Sequence, residues 1–263
     1  MPHKLFQVDA FTEVPFKGNP AAVCLLQGSE PSNWMQTLAA EMNLSETAFL
    51  LPEGESWRLR WFTPKTEVKL CGHSTLASAM VLFTTCPELR DTPLCFQTLS
   101  GELRARWAGG RIALDFPAMQ PEPAAVSPDL ENALGIPLKA AVSAGDFHLF
   151  EAQDAAAVRA LAPDFTALAQ CSMPEVIVTA RSDDPAFDII SRFFAPLLGI
   201  NEDPVTGSAH CLLAPYWAEK LGKTDFTAFQ ASERGGVLGV QMRGDRVELL
   251  GAAVLIFEGV LLV

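Results

Sequence analysis

Arg60-Trp-Phe-Thr-Pro64 and Arg192-Phe-Phe-Ala-Pro196 are two copies of one pattern: arginine, aromatic, phenylalanine, small residue, proline. Each leads to a glycine and a polar residue at the head of an apolar run, Gly72-His73 in the first case and Gly207-Ser208 in the second. Eight positions separate Pro64 from Gly72 and eleven separate Pro196 from Gly207, so the copies differ by a short loop. Self-similarity of this kind marks a duplicated structural unit.

Around the first copy, the segments Lys4–Phe11, Ala21–Leu26, Glu46–Leu51, Trp57–Thr63, Leu94–Leu99, Leu103–Trp107 and Arg111–Phe116 alternate or are rich in β-branched residues, and read as strands. Gly101 and Gly109-Gly110 punctuate the last three, which predicts an antiparallel meander. Ser32–Met42, behind Pro31, predicts a helix, and Ser74–Phe83 is a helix apolar almost all round, hence buried. Four prolines in the twelve residues Pro117–Pro128 mark a linker. The domain expectation is therefore 1–117, a linker at 118–128, and 129–263, with the last strand free to pack back on the first domain. In the second half, Ala140–Glu151, Glu175–Ala180 and Ile189–Phe194 read as strands, Asp154–Gln170 and Gly207–Leu221 as helices. The ending from Phe226 is again β-like, with turns at Gly235-Gly236 and Arg243-Gly-Asp245. The fold class is α+β, in two similar halves.

Composition narrows the function. With 31 Asp+Glu against 19 Lys+Arg the net charge is −12, and no basic face is available for nucleic acid. A hydrophobic content of 49% excludes a disordered chain. No segment reaches the roughly 18 uncharged apolar residues of a membrane span, and the first ten residues lack the apolar core of a secretory signal. A soluble, cytoplasmic protein is expected, without nucleic-acid or membrane partners. Six cysteines without a Cys-x-x-Cys pair argue against a disulfide scaffold.

The chemistry is expected where the copies begin their helices. A helix start behind glycine offers free N–H groups and the positive end of the helix dipole, a natural seat for a carboxylate. Two such starts related by the duplication would converge on a cleft between the halves, and His73 and Ser208 would project from equivalent positions. The plainer reading is also open: Gly-His-Ser-Thr75 and Thr206-Gly-Ser208 offer hydroxyls that could simply cap those helices. His73 is one of four histidines, and His3, His148 and His210 read as surface or structural. Glu46 is the lone charge in Asn43–Leu51, where a strand start would desolvate it as a general base or acid requires; otherwise it is a sheet-edge charge. Asp203, in Asn201-Glu-Asp-Pro-Val-Thr-Gly-Ser208, is either a site carboxylate or an Asx-type turn. There is no Gly-x-Gly-x-x-Gly, Walker, Gly-x-Ser-x-Gly or His-Glu-x-x-His motif. Cys71-Gly-His73 lacks zinc spacing, so no metal is expected.

Gly18-Asn-Pro-Ala-Ala-Val23, Ser45-Glu-Thr-Ala-Phe49, Phe62-Thr-Pro64 with Leu70-Cys-Gly-His73, and Glu202-Asp-Pro-Val-Thr-Gly-Ser-Ala209 together resemble the PhzF family of phenazine-biosynthesis isomerases. The resemblance spans about residues 5 to 240. It implies a diaminopimelate-epimerase-like fold: two halves, each a mostly antiparallel barrel-like sheet around a central helix. By motif position Glu46 matches the catalytic glutamate, with His73 and Asp203 as catalytic partners. Ser208, Gly72, Gly207, Thr206 and Asn19 match substrate-binding positions. The resemblance implies an isomerase that needs no cofactor, acts on a small carboxylate and is a homodimer.

Cys71-Gly72-His73 also resembles the Cys-Gly-His segment of proline racemases and hydroxyproline epimerases, which use two opposed thiols. Here Pro204-Val-Thr-Gly207 stands in place of the second thiol segment. Racemase-type activity involving Cys71 and a non-catalytic carboxylate-binding protein are the alternatives.

Overall fold

A computed structural model describes residues 2–262. The chain divides into two compact units, Met1–Asp115 with Leu250–Val263, and Phe116–Leu249. Residues 118–128 thus fall in the second unit and the last strand in the first.

The first unit runs β1 (Lys4–Ala10), β2 (Asn19–Leu25), α1 (Ser32–Met42), β3 (Glu46–Glu53), β4 (Ser56–Phe62), β5 (Glu67–Val68), α2 (Gly72–Thr85), β6 (Leu94–Thr98), β7 (Gly101–Ala108) and β8 (Arg111–Pro117). The second runs β9 (Glu122–Pro123), α3 (Pro128–Leu134), β10 (Leu138–Ala144), β11 (Phe147–Ala152), α4 (Ala155–Arg159), α5 (Phe165–Gln170), β12 (Glu175–Arg181), β13 (Ile189–Ala195), β14 (Ile200–Asp203), α6 (Gly207–Leu221), β15 (Asp225–Gln230), β16 (Gly236–Arg243) and β17 (Arg246–Gly251). The chain closes with β18 (Ala253–Val260).

Strand pairing repeats step for step. In the first unit β1 pairs antiparallel with β2 and β18, β2 parallel with β3, β3 antiparallel with β4, β4 antiparallel with β5 and parallel with β6, and β6 antiparallel with β7. In the second unit β10, β11, β9, β12, β13, β14, β15 and β16 take the parts of β1, β2, β18, β3, β4, β5, β6 and β7 in the same senses. The repeated arginines behave alike. Arg60 grips Glu67 through Nε and Nη2 at 2.7 and 2.8 Å, and its guanidinium lies 5.0 Å from the Phe62 ring centre. Arg192 grips Glu202 at the same two distances and lies 5.1 Å from the Phe194 ring centre. Forked pairing of this kind fixes the planes of both groups. The duplicated motif is a strand-to-strand clasp just ahead of each main helix.

Those helices, α2 and α6, are the longest and are buried on most of their residues. The small and apolar sequence of α2 allows β1, β2, β3, β7 and β18 to approach it. The outer sheet faces are covered separately, by α1 over Phe49 and Phe62, and by α3, α4 and α5 over Phe150, Val176 and Phe194.

Two expectations about local structure need correction. Asp154–Gln170 is not one helix: α4 ends at Arg159, Pro163 intervenes, and Asp164 caps α5 by accepting from the N–H groups of Thr166 and Ala167. Proline lacks the N–H a continuing helix needs. Ala140–Glu151 is a hairpin, because Gly145 takes a left-handed turn at φ 60°.

Candidate functional site

The sequence-predicted residues fall into two groups, one in each unit. In the first, Glu46 opens β3, Asn19 opens β2 and His73 is the second residue of α2. His73 Nε2 lies 3.1 Å from Glu46 Oε2, with both side chains largely buried. The pair is close enough for ionic attraction, but the N–H direction does not meet the oxygen, so both atoms lack an aligned hydrogen bond among the described residues. Buried polar atoms left so are uncommon and call for a partner outside the protein chain, water or ligand. At the opposite edge of the ring, Nδ1 lies 3.2 Å from Asn19 Nδ2 and 3.5 Å from Cys71 Sγ.

Burial, reinforced by the Glu46 charge, pushes the Cys71 thiol up, so it stays protonated. Burial also works against a charged His73, but the neighbouring Cys71 and Glu46 outweigh it and hold the imidazole well above its usual range. With the thiol protonated, the Glu46 carboxylate is the partner that keeps His73 charged.

One ligand atom each from Glu46, Cys71 and His73 lies within 4.8 Å of the others. Cys71 meets Nδ1 and Glu46 meets Nε2, however, so an ion in line with either nitrogen is aligned with only one of the other two donors. The cluster is better arranged for proton handling than for a metal.

In the second unit Asp203 ends β14 and is buried. Its Oδ2 accepts a hydrogen bond from the Thr206 hydroxyl. Gln230, on β15 and almost fully buried, accepts from Thr206 N at 2.9 Å and donates to the Asp203 carbonyl at 2.8 Å and to Thr206 Oγ1 at 3.2 Å. Gln230 thereby pins the turn that precedes Gly207 and Ser208.

The capping alternative is not met at either central helix. α2 starts behind Cys71 and α6 behind Thr206, and neither side chain caps the helix. Thr75 and Ser78 instead donate back to the carbonyls of Cys71 and Ser74, at 2.5 and 2.7 Å. The short helices α3, α4 and α5 do carry side-chain caps, from Ser127, Asp154 and Asp164; α1, behind Pro31, does not. Neither Cys71 nor Thr206 therefore closes the helix that starts behind it with its own side chain.

Two groups near these clusters escape a motif-based reading. Glu175 stands three residues before Val178, the partner of Arg192, as Glu46 stands three before Phe49, the partner of Arg60. Burial, with the Asp146 and Asp203 charges, pushes Glu175 up to about 7. His210, fully buried on α6, approaches the Thr206 carbonyl through Nδ1 at 2.8 Å, and burial pushes it down to about 4.

His210 makes stability pH-dependent. The unfolded chain protonates this histidine near its ordinary 6.5 but the folded chain only near 4, so stability falls as pH drops through that window. At pH 4.5 the loss from this residue is about 2–3 kcal/mol. Glu175 works oppositely, gaining stability as pH falls from about 7 toward 4.5. The His210 contribution is therefore the difference between wild type and His210→Gln in urea unfolding at pH 7 and pH 4.5; equal pH slopes in the two proteins would refute it.

The model of the phenazine biosynthesis-like protein family (PhzC-PhzF) matches residues 8–259. An uncharacterized isomerase of Halalkalibacterium halodurans is 50% identical over 260 residues, 98% of each chain. The crystal structure of a PhzF-family phenazine biosynthesis protein from Enterococcus faecalis superposes with a TM-score of 0.95 at 44% identity, covering 100% of both chains. A hydroxyproline epimerase from Agrobacterium vitis superposes with a TM-score of 0.60 at 12% identity, over 98% of this chain and 93% of that one, a likeness of fold alone. No described helix is long and apolar enough to cross a membrane. By family model, sequence identity and α+β fold together, the chain belongs to the phenazine biosynthesis-like PhzC-PhzF family.

Proposed function

We propose that the protein is an isomerase that moves a proton from one carbon to another within a small carboxylate substrate, without a cofactor, using Glu46 as the general acid/base. The supporting observation is the buried Glu46–His73 pair, whose facing atoms lack aligned partners among the described residues. As a carboxylate, Glu46 takes a proton from one substrate carbon; as the resulting acid, it exchanges with water in part of the turnovers, gives a proton to another carbon and is regenerated. The bond broken and the bond formed are both C–H, so the step is balanced without an oxidant or reductant.

His73 contributes its positive charge beside Glu46 and beside the anion that develops on the substrate. Gly72 offers an anion-binding helix start at α2 in the same unit; in the other unit Gly207 and Ser208 stand at the start of α6, behind the turn that Asp203 and Thr206 hold. Positioned acid/base catalysis supplies about 10²–10⁴-fold, so anion stabilisation at the α2 helix start and by His73 has to supply more.

Cys71 is poorly suited to act as the base, because a thiol held protonated by burial is neither a base nor a nucleophile. Incubating the protein with cyclic and amino-acid carboxylates in deuterated water tests the reading by proton NMR. Deuterium is expected to enter at least one carboxylate, and Cys71→Ala is expected to retain the exchange to within about tenfold, since burial rather than proton transfer defines that side chain. Binding without exchange across the set would favour a carboxylate-binding protein, and loss of exchange in Cys71→Ala a racemase-type mechanism.

A further inference from the structure

Asn19 is fully buried, and its side-chain amide faces His73, not open space. Its backbone is held in place. Asn19 pairs with Ala10 across β1 and β2, and it follows Gly18, whose φ of +64° and whose approach to the Ala10 carbonyl exclude any side chain. The amide therefore reaches Nδ1 from a fixed strand, while Glu46 meets the other edge of the same ring from β3 and Cys71 lies beside Nδ1 from the start of α2.

An amide can act either way at such a position, because rotation by half a turn converts it from donor to acceptor. Facing Nδ1 with its NH₂, Asn19 meets a ring nitrogen that carries no proton, which places the proton of a neutral imidazole on Nε2. Facing Nδ1 with its oxygen, it accepts from the Nδ1–H of the imidazolium. In both states Nε2 keeps its proton on the Glu46 side.

We propose that Asn19 is a positioning residue for His73: it confines the gain and loss of a proton to Nδ1 and keeps an N–H facing Glu46 in both charge states of the ring. His73 then cannot accept a proton from Glu46 at Nε2, so the proton on the Glu46 carboxyl either returns to substrate or exchanges with water, and does not pass to the ring. This assignment rests on the acid/base reading of Glu46 for its purpose, but its geometry stands without it.

Nitrogen-15 NMR of the imidazole rings, recorded from pH 5 to 11 with His73 assigned by its absence in His73→Gln, tests the assignment. In the wild type the Nε2 shift is expected to stay protonated-type throughout, while Nδ1 passes to the unprotonated type as His73 loses its charge. Asn19→Asp, which can only accept, is expected to reverse the neutral tautomer, putting the proton on Nδ1 and extending the charged form to higher pH. Asn19→Leu, which offers neither, is expected to give intermediate shifts at both nitrogens. A wild-type neutral ring protonated at Nδ1 overturns the proposal, as does a wild-type shift pattern that persists in Asn19→Leu. The wild-type spectrum alone decides the first point even if a variant fails to fold. The readout needs no turnover, so the predicted tautomer in a protein without exchange activity would sink the isomerase reading and leave the role of Asn19 standing.

Discussion

Gly18→Ala is expected to destabilise the protein by about 3–5 kcal/mol, among the larger effects a single methyl can produce. An added Cβ would lie 2.1 Å from the Ala10 carbonyl oxygen and 2.8 Å from Thr12 Cγ2. The first of these is backbone of β1, which is paired on both sides, so it cannot yield as a flexible side chain can. The left-handed conformation itself accounts for only about 1–2 kcal/mol. Gly54 provides the control, because its φ of +63° is almost the same and nothing lies within 4 Å of an added Cβ. Thermal unfolding should therefore show a drop on the order of 10 °C for Gly18→Ala and only a few degrees for Gly54→Ala. Equal losses would mean that backbone conformation, not the clash with β1, sets the cost. Since Gly18 leads directly into Asn19, the variant is also expected to disturb the hydrogen bond to His73.

The parts of the fold that follow from local periodicity were legible in the sequence. Ser32–Met42 and Gly207–Leu221 form helices over the stretches their patterns indicate. The Gly101 and Gly109-Gly110 turns close an antiparallel meander. The repeated arginine pattern carried the duplication, and the structure gives its physical content, an arginine forked onto a glutamate in each copy.

What depends on long-range pairing was not legible. β9 is a strand of two residues in a proline-rich stretch, and nothing in Glu122-Pro123 announces its place beside β10. The apolar spacing of Val158, Leu161, Phe165 and Leu168 continues in phase across Pro163 and masks the break between α4 and α5.

The candidate site divides the same way. Glu46 and His73 sit in motifs, and the structure brings them together in the first unit. Gln230 lies in an ordinary strand sequence, and its hold on Thr206 exists only through tertiary contact. Glu175 could have been found by carrying the arginine repeat back one strand, since it occupies the register of Glu46. The role of Asn19 could not, because a motif cannot say which edge of a histidine ring a neighbour faces.

Glu46→Gln is expected to lower the rate of proton transfer by about 10²–10⁴-fold, the full contribution of a positioned acid/base. Glutamine matches glutamate in size and keeps an oxygen or an NH₂ toward His73, so the fold and its melting temperature should change little. It cannot accept a proton from carbon, so the loss should appear in kcat and in kcat/KM together, as for an interaction made in the transition state. His73 should titrate lower in the variant, because the charge that holds it up is gone. Removing the general base while leaving the helix starts intact should also preserve binding of the carboxylate.

Solvent exchange in deuterated water, followed for the same bound carboxylate in wild type and Glu46→Gln, measures this most directly. The wild type is expected to incorporate deuterium and Glu46→Gln to bind the carboxylate with exchange reduced at least about a hundredfold. Undiminished exchange in Glu46→Gln would contradict the assignment of Glu46 as the proton carrier.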